Sequence, residues 1–385
     1  MKPGPESRAL FRRRVFPGAS ARDWNDWRWQ VRHRFRTPAA LARTVGLTPR
    51  EWTAFARGQL RLPVAVTPYY ASLLPPDDPA CPLRRVVLPA PEEGRALRGE
   101  RRDPLGEEKH RPMPCLVHTY PDKALFLVTD RCPVYCRYCT RARLAANEPA
   151  LSSPVQWRRA LDYLRRHREI RDVVISGGEP LMLSDERLRR LLWDLRHIPH
   201  LELIRISTRA PAVLPQRITP ALARLLGQCQ PLWVSVHFVH PDELTPEAGR
   251  ACARLADAGV PMGSQTVLLK GINDEAPVIR RLMQGLLRFR VKPYYLHQCD
   301  AAAGASHFRT AVQCGVDILR RLHGHTSGYA VPLYMIDAPG GGGKVPISPD
   351  YVVMRRKDEL VLRNHANKLY RYRLSGGDRF GLPPE

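Results

Sequence analysis

Three cysteines stand close together in Thr129-Asp130-Arg131-Cys132-Pro133-Val134-Tyr135-Cys136-Arg137-Tyr138-Cys139, with the spacing C-x3-C-x2-C. Three thiolates from one loop can wrap a compact soft-metal centre. A structural zinc site normally takes four protein ligands. A [4Fe–4S] cluster held by three cysteines leaves one iron open to a small molecule. The plainer alternatives are an incidental trio or a zinc knuckle. Tyr135 and Tyr138 within the loop would shield a cluster from water, which tunes its potential. A second element is Ser176-Gly177-Gly178-Glu179-Pro180. Its two glycines permit close backbone approach, and Glu179 offers an acceptor to an ammonium. Alone it would be an ordinary turn.

A third element is Asp337-Ala338-Pro339-Gly340-Gly341-Gly342-Gly343-Lys344-Val345-Pro346. Four glycines leave the backbone free to curve around a bulky group. Lys344 is one of only eight lysines in the chain. An amine held near cations or apolar groups has a lowered pKa and can form a Schiff base, for which pyridoxal phosphate is the obvious carbonyl partner. A flexible loop and a phosphate-binding loop are the bland readings. The order GGGGK lacks the Walker spacing and the following Ser/Thr.

These residues need a frame. Short β-rich runs recur at Ala124–Thr129, Asp172–Ser176, Leu203–Ser207, Leu232–His237, Gly263–Leu268 and Lys292–His297. Amphipathic stretches lie between them, such as Trp157–Arg166, Glu186–His197, Pro220–Leu226, Pro246–Ala258 and Ala276–Arg288. Strand–helix units about 30 residues apart predict a parallel sheet with right-handed crossovers. Six such units predict an α/β fold with a partial (βα)6 TIM-like barrel. An open Rossmann-like sheet is the rival, but the first strand is not followed by a G-x-G-x-x-G turn. In a barrel, active residues belong at the C-terminal ends of strands. Both the cysteine loop and the Gly-Gly-Glu turn follow predicted strands.

The first ~110 residues read as helical and polar, with Asp23–Arg36 carrying one apolar face. Thr48-Pro49-Arg50-Glu51 is a capping-box signature. Pro75–Pro114 reads as a wrapping linker. The predicted division is 1–110 helical region and linker, 111–346 barrel, and 347–385 tail. The tail carries β-like runs at Tyr351–Met354 and Leu360–Leu362, and is expected to cover one end of the barrel.

The 385 residues are 44% apolar and 25% charged, ordinary for a globular protein able to bury a sizeable core. Without a run of 18 apolar residues, no transmembrane helix is expected. The N-terminus lacks an apolar core segment, so no secretory signal is read. The formal net charge of +24 raises the question of an anionic partner. Arginine supplies 53 of the 61 basic residues and is spread along the chain, which suggests coding bias; no nucleic-acid partner is expected. Nine cysteines, six of them scattered, fit a reducing cytoplasm with one thiolate site better than a disulfide scaffold.

The cysteine spacing resembles that of the radical S-adenosylmethionine superfamily, and Gly177-Gly178-Glu179 resembles its GGE motif. With the glycine-run lysine, the chain resembles the lysine 2,3-aminomutase family, whose members also use pyridoxal phosphate. The likeness runs from about Asp23 to about Tyr372. It includes Thr67-Pro68-Tyr69-Tyr70, Val213-Leu214-Pro215-Gln216-Arg217-Ile218-Thr219, Gln265-Thr266-Val267-Leu268-Leu269-Lys270-Gly271-Ile272-Asn273-Asp274, and His307-Phe308-Arg309-Thr310. The resemblance implies a radical SAM-type barrel, and movement of the 2-amino group of L-lysine to C3 to give β-lysine. It implies that Cys132, Cys136 and Cys139 ligate the cluster. Gly177, Gly178 and Glu179 hold the amino group of S-adenosylmethionine, with His237 and Gln265 near it. Lys344 carries pyridoxal phosphate. Arg141 meets the substrate carboxylate through its bidentate fork. Asp300 and Asp337 receive the distal ammonium. Two carboxylates suit a cationic side chain and repel an acidic one. Arginine or ornithine could use the same pair.

Several positions depart from the family pattern. His237-Phe238-Val239-His240-Pro241 loses an asparagine at Val239, and Gly263-Ser264-Gln265 has serine for asparagine. Thr119 replaces an arginine, and His297 replaces a tyrosine near the pyridoxal site. Tyr120 and Lys123 are then the expected holders of the cofactor phosphate. No cysteine follows Cys314, and Glu275 stands where a partner cysteine would be, so no zinc is expected. His297 and the missing zinc also resemble the shorter mutases that act on lysine for modifying elongation factor P. The expected partners are a small amino acid, an electron donor such as flavodoxin or ferredoxin, and further copies of the chain. The rivals are an RNA-modifying radical enzyme and a non-catalytic metal-binding scaffold.

Overall fold

The computed structural model describes residues 5–375, apart from 59, 77, 96, 97, 146 and 357. Nine strands run in sequence order through one sheet: β1 (Leu116–Tyr120), β2 (Lys123–Leu127), β3 (Asp172–Ser176), β4 (Leu203–Thr208), β5 (Leu232–His237), β6 (Met262–Leu268), β7 (Lys292–Gln298), β8 (Leu333–Ala338) and β9 (Gly343–Ile347). From β2 to β8 every neighbouring pair is parallel. β1 and β9 close the two edges antiparallel. The edges meet, because the Lys344 backbone N–H on β9 donates to the Tyr120 hydroxyl on β1 at 2.8 Å. A sheet whose first and last strands touch must curl into a nearly closed barrel.

The local chemistry explains the layering. β3 reads Asp-Val-Val-Ile-Ser, and its Val173 and Ile175 are fully buried beneath helices while Val174 faces the lumen half-buried. The helix Pro154–Arg166 buries Trp157, Ala160, Leu161 and Leu164, one face at a period near 3.6. Helices Pro220–Gly227 and Pro246–Asp257 start the same way. Thr219 and Thr245 accept the N–H three residues on, and proline fills the first helical position.

The six predicted units are present as β2–β7 with the helices that follow them. Three barrel strands were not read from the sequence. β1 and β9 are short edges. β8 brings a seventh parallel strand, and its Asp337 pairs with Lys344 in the β8–β9 register. The glycine run is the turn of this hairpin, with Gly340, Gly341 and Gly343 all at positive φ. The freedom the sequence predicts there is spent on turning the chain. Asp23–Arg36 is not one helix. It divides into Ala21–Asn25 and Trp27–Arg32, because the extended Asp26 caps the second piece. The capping box forms at Thr48 and Glu51 as expected. The linker carries a helix, Pro82–Val87, and two short 3-10 turns.

The tail forms a second sheet, β10 (Val352–Arg355), β11 (Glu359–Arg363) and β12 (Leu369–Arg373). It touches the turn after helix Val312–Leu322, where Tyr351 and His323 are hydrogen-bonded at 2.7 Å. The outermost residues of the predicted first and last segments lie outside the described residues. No helix among the described residues is long and apolar enough to cross a membrane.

β8 is seated by Tyr334, whose hydroxyl donates to Gln298 Oε1 at 2.5 Å. Gly315 lets the helix approach this ring; a Cβ there would lie 2.2 Å from Tyr334 Cζ. Gly315→Ala is therefore expected to destabilise the chain by about 1–3 kcal/mol, read from the denaturant midpoint. An unchanged midpoint would show that this contact yields freely.

Candidate active site in the barrel lumen

The cysteine loop leaves the end of β2 and the Gly-Gly-Glu turn leaves the adjacent end of β3. Backbone pairs fuse them. Gly178 N–H donates to Thr129 O at 2.6 Å, and Glu179 N–H donates to Arg131 O at 2.8 Å. A Cβ on Gly177 would lie 2.4 Å from Thr129 O, and one on Gly178 would lie 2.4 Å from Arg131 O. The close approach that these glycines permit is to the cysteine loop itself. Glu179 is buried, and its carboxylate already accepts Thr208 Oγ1–H at 2.6 Å, Arg209 N–H at 2.8 Å and Leu181 N–H at 3.1 Å. A carboxylate offers about four lone-pair sites, so one remains for an external ammonium.

No three His, Cys, Asp or Glu side chains among the described residues converge on a single metal ion. A cubane presents its irons at separate corners, so its thiolates need not meet at a point. The three sulfurs still sense one another. Ionisation of Cys132 is opposed by burial first, then by Cys139 and Cys136, which push its pKa up. Arg209, directly after β4, donates from Nη1 to Cys136 Sγ at 2.6 Å and from Nη2 to Glu243 Oε1 at 2.6 Å. Tyr70 donates to the same Glu243 oxygen at 2.8 Å. A guanidinium on this sulfur complements the negative charge of a thiolate-held cluster, so the donor set fits one.

Inside the barrel, His237 on β5 and Gln265 on β6 are register partners. His237 Nε2 lies 2.8 Å from Ser207 Oγ. Burial, then the neighbouring His297 and Arg209, hold its pKa down at about 3, so the ring is neutral. Val239, where the family asparagine is lost, is buried and donates its N–H to Glu243 Oε2 at 2.7 Å. Ser264 is fully buried, and its hydroxyl finds no partner among the described residues.

Across the β8–β9 ladder Lys344 Nζ sits 2.7 and 2.8 Å from the two Asp337 oxygens. His297 on β7 approaches the same carboxylate at 3.6 Å. Burial pushes the Asp337 carboxyl up, but His297 and the Lys344 ammonium outweigh it and hold the pKa at about 2. Asp300, just past β7, is pushed up to about 7, first by burial and then by the charge of Asp337. The two carboxylates are near enough to sense each other's charge, and the ammonium beside Asp337 is that of Lys344. Its side chain is 32% exposed, open to an aldehyde. Lys123 Nζ lies 4.5 Å from the centre of the Tyr120 ring, whose hydroxyl binds the Lys344 backbone. An accessible amine with a cation and a phenol beside it fits an aldehyde cofactor bearing a phosphate.

Arg141 is fixed by a residue outside the barrel. Glu107 Oε1 accepts its Nε at 2.9 Å and its Nη2 at 2.7 Å. Nη1 approaches Ser176 Oγ at 3.4 Å. Burial opposes the Arg141 charge, and Glu107 more than restores it. Sequence reading missed Glu107, Arg209, Glu243 and Ser207. Arg209 follows a strand end, where the barrel rule could have found it. Glu107 lay in a segment read as linker.

A sequence model of the Radical SAM superfamily matches residues 126–282, and one of Lysine-2,3-aminomutase matches residues 319–374. The chain is 46% identical to the L-lysine 2,3-aminomutase of Clostridium subterminale, over 93% of this chain and 86% of that protein. It is 45% identical to the L-lysine 2,3-aminomutase of Fusobacterium nucleatum subsp. nucleatum, over 94% and 85%. The glutamate 2,3-aminomutase of Clostridioides difficile is 39% identical, over 90% and 82%.

The methyl group of Gly178→Ala would meet backbone that cannot step aside. The variant is expected to lose most of the iron bound on anaerobic reconstitution while its far-ultraviolet circular dichroism stays native. Full iron content in a folded variant would mean that the turn does not shape the loop.

Proposed function

The chain belongs to the lysine 2,3-aminomutase family of radical S-adenosylmethionine isomerases, and on that premise we propose that it moves the 2-amino group of L-lysine to C3 with the help of pyridoxal phosphate on Lys344. The superfamily implies a [4Fe–4S] cluster and S-adenosylmethionine. When bound, these supply a hydrogen-abstracting radical, and pyridoxal phosphate supplies a conjugated carbonyl for the migrating nitrogen. A flavodoxin- or ferredoxin-type donor fits the need for an electron.

The chain's own residues bind and orient. Cys132, Cys136 and Cys139 are the proposed cluster ligands, with Arg209 steadying Cys136. Gly177, Gly178 and Glu179 shape the neighbouring edge, and His237 and Gln265 line the wall where S-adenosylmethionine is proposed to lie. Tyr120 and Lys123 are the proposed phosphate holders. Arg141, with Glu107 on its Nε–Nη2 edge, offers its terminal edge to the substrate carboxylate. Asp300 and Asp337 take the distal ammonium. The neutral His237 brings no loose proton to the wall it lines.

The observation that supports this reading is the primary ammonium already bound by Asp337, with Asp300 near enough to sense both charges. Such a pair accepts lysine, and also arginine or ornithine, and repels glutamate. The test is anaerobic incubation with each of these four amino acids, scored for β-amino acid by mass spectrometry. Lysine is expected to dominate; preferential turnover of glutamate would overturn the proposal. Lys344→Ala should abolish turnover and the cofactor absorbance while iron content is kept.

The aspartate pair also sets a pH dependence. Below its raised pKa of about 7, Asp300 is protonated and holds a cation poorly; above it, the carboxylate is charged. Asp337 stays charged throughout this range. Lysine affinity should therefore rise from about pH 6 to about pH 8. Asp300→Asn should raise KM roughly tenfold or more and flatten that rise, and a retained slope would move the titrating group elsewhere.

A further inference from the structure

Glu107 opens the 3-10 turn Glu107–His110 and is only 5% exposed. Its carboxylate takes the Nε–Nη2 edge of Arg141, and its Oε2 also accepts Arg143 Nη2 at 3.2 Å. Arg143 is held further by Asp103 at 3.2 Å and Glu108 at 2.9 Å. A guanidinium is planar, with two bidentate edges. Glu107 uses the Nε–Nη2 edge and leaves the terminal Nη1–Nη2 edge, whose Nη1 lies 3.4 Å from Ser176 Oγ at the C-terminal end of β3.

The turn that carries Glu107 is itself wedged in place. Gly106 has φ +67, and a Cβ there would lie 2.6 Å from the Gly340 carbonyl carbon and 2.9 Å from Gly341 N. Gly341 has φ +95, and its Cβ would lie 2.6 Å from His110 Nε2. Backbone therefore packs on backbone between this turn and the hairpin that presents Lys344. One element of the N-terminal segment touches both the guanidinium and the glycine hairpin.

We propose that Glu107 is a positioning residue that aims the terminal edge of Arg141 at the substrate carboxylate, and thereby sets the selectivity for a free α-carboxylate. The inference rests on the reading that Arg141 receives that carboxylate. A residue that only pinned the turn would alter the binding of every ligand alike. A positioning residue alters only ligands that carry the carboxylate. Loss of a charge-assisted contact predicts a change of roughly tenfold.

The test is anaerobic calorimetry of the reconstituted holoenzyme with L-lysine and with L-lysinamide, which keeps both amines and lacks the carboxylate. Wild type should favour lysine, and Arg141→Ala should erase the preference. Glu107→Gln should cut it roughly tenfold through weaker lysine binding alone. Glu107→Asp, which keeps the charge but withdraws it by one methylene, should fall between. Glu108→Gln, which removes only an exposed partner of Arg143, should leave the preference intact. If Arg141→Ala keeps the preference, the carboxylate reading falls and the inference with it. If Arg141→Ala erases it while Glu107→Gln keeps it, the reading stands and the inference is overturned. Equal weakening of lysine and lysinamide by Glu107→Gln also overturns it. Should Glu107→Gln fail to fold, Glu107→Asp decides: a wild-type preference overturns the inference, and a reduced one with unchanged lysinamide binding supports it.

Discussion

The guanidinium of Arg137 is the point on which the cysteine loop turns. It lies between Cys136 and Cys139, in a stretch with no helix or strand of its own, and it is fully buried. Glu93 takes its Nε and Nη2, and the carbonyls of Leu62 and Pro63 take Nη1 at 3.2 and 3.1 Å. Its backbone N–H donates to Val86 O at 2.8 Å. Breaking a buried pair of this kind costs about 3–5 kcal/mol, because the surviving charge is left without a partner. The loop also receives Arg34 on Cys132 O at 2.7 Å and Arg61 on Cys139 O at 3.5 Å. The N-terminal segment is thus the mould in which the three thiols are cast.

That dependence explains what the sequence could and could not convey. The β2–β7 strands and their helices were legible because β-branched runs and a 3.6-residue apolar period are local signals. The cysteine trio was legible because its spacing is itself the chemistry. Three other features were not legible. β8 sits beside a glycine run that reads as loop, and its role emerges only from the register that sets Asp337 against Lys344. Asp26 divides one apolar face into two helices by capping the second, a choice that periodicity alone does not register. Glu107, Glu93 and Glu243 are buried carboxylates whose arginine partners Arg141, Arg137 and Arg209 are 34 to 44 residues away in the chain, beyond the reach of a local sequence pattern.

The Gly-Gly-Glu turn illustrates a subtler point. Its residue types are right for reaching a bound ammonium, yet most of their capacity is spent internally. The glycines give way to the backbone of Thr129 and Arg131, and Glu179 binds the last residue of β4 and the first beyond it. Motif chemistry and scaffold chemistry share the same atoms here, so the loss of either glycine would disturb both at once.

Lys344 and Asp337 carry one more consequence. While the amine is free, it neutralises the very carboxylate proposed to receive a cationic guest, and so it acts as a built-in stopper. On the proposed reading, committing that amine to an aldehyde cofactor would free the Asp337 carboxylate of its present partner. A dibasic guest would then restore the electrical balance that the resting chain already had. On that reading, an order of filling, prosthetic group first and amino acid second, would follow from this single pairing of opposed β-residues.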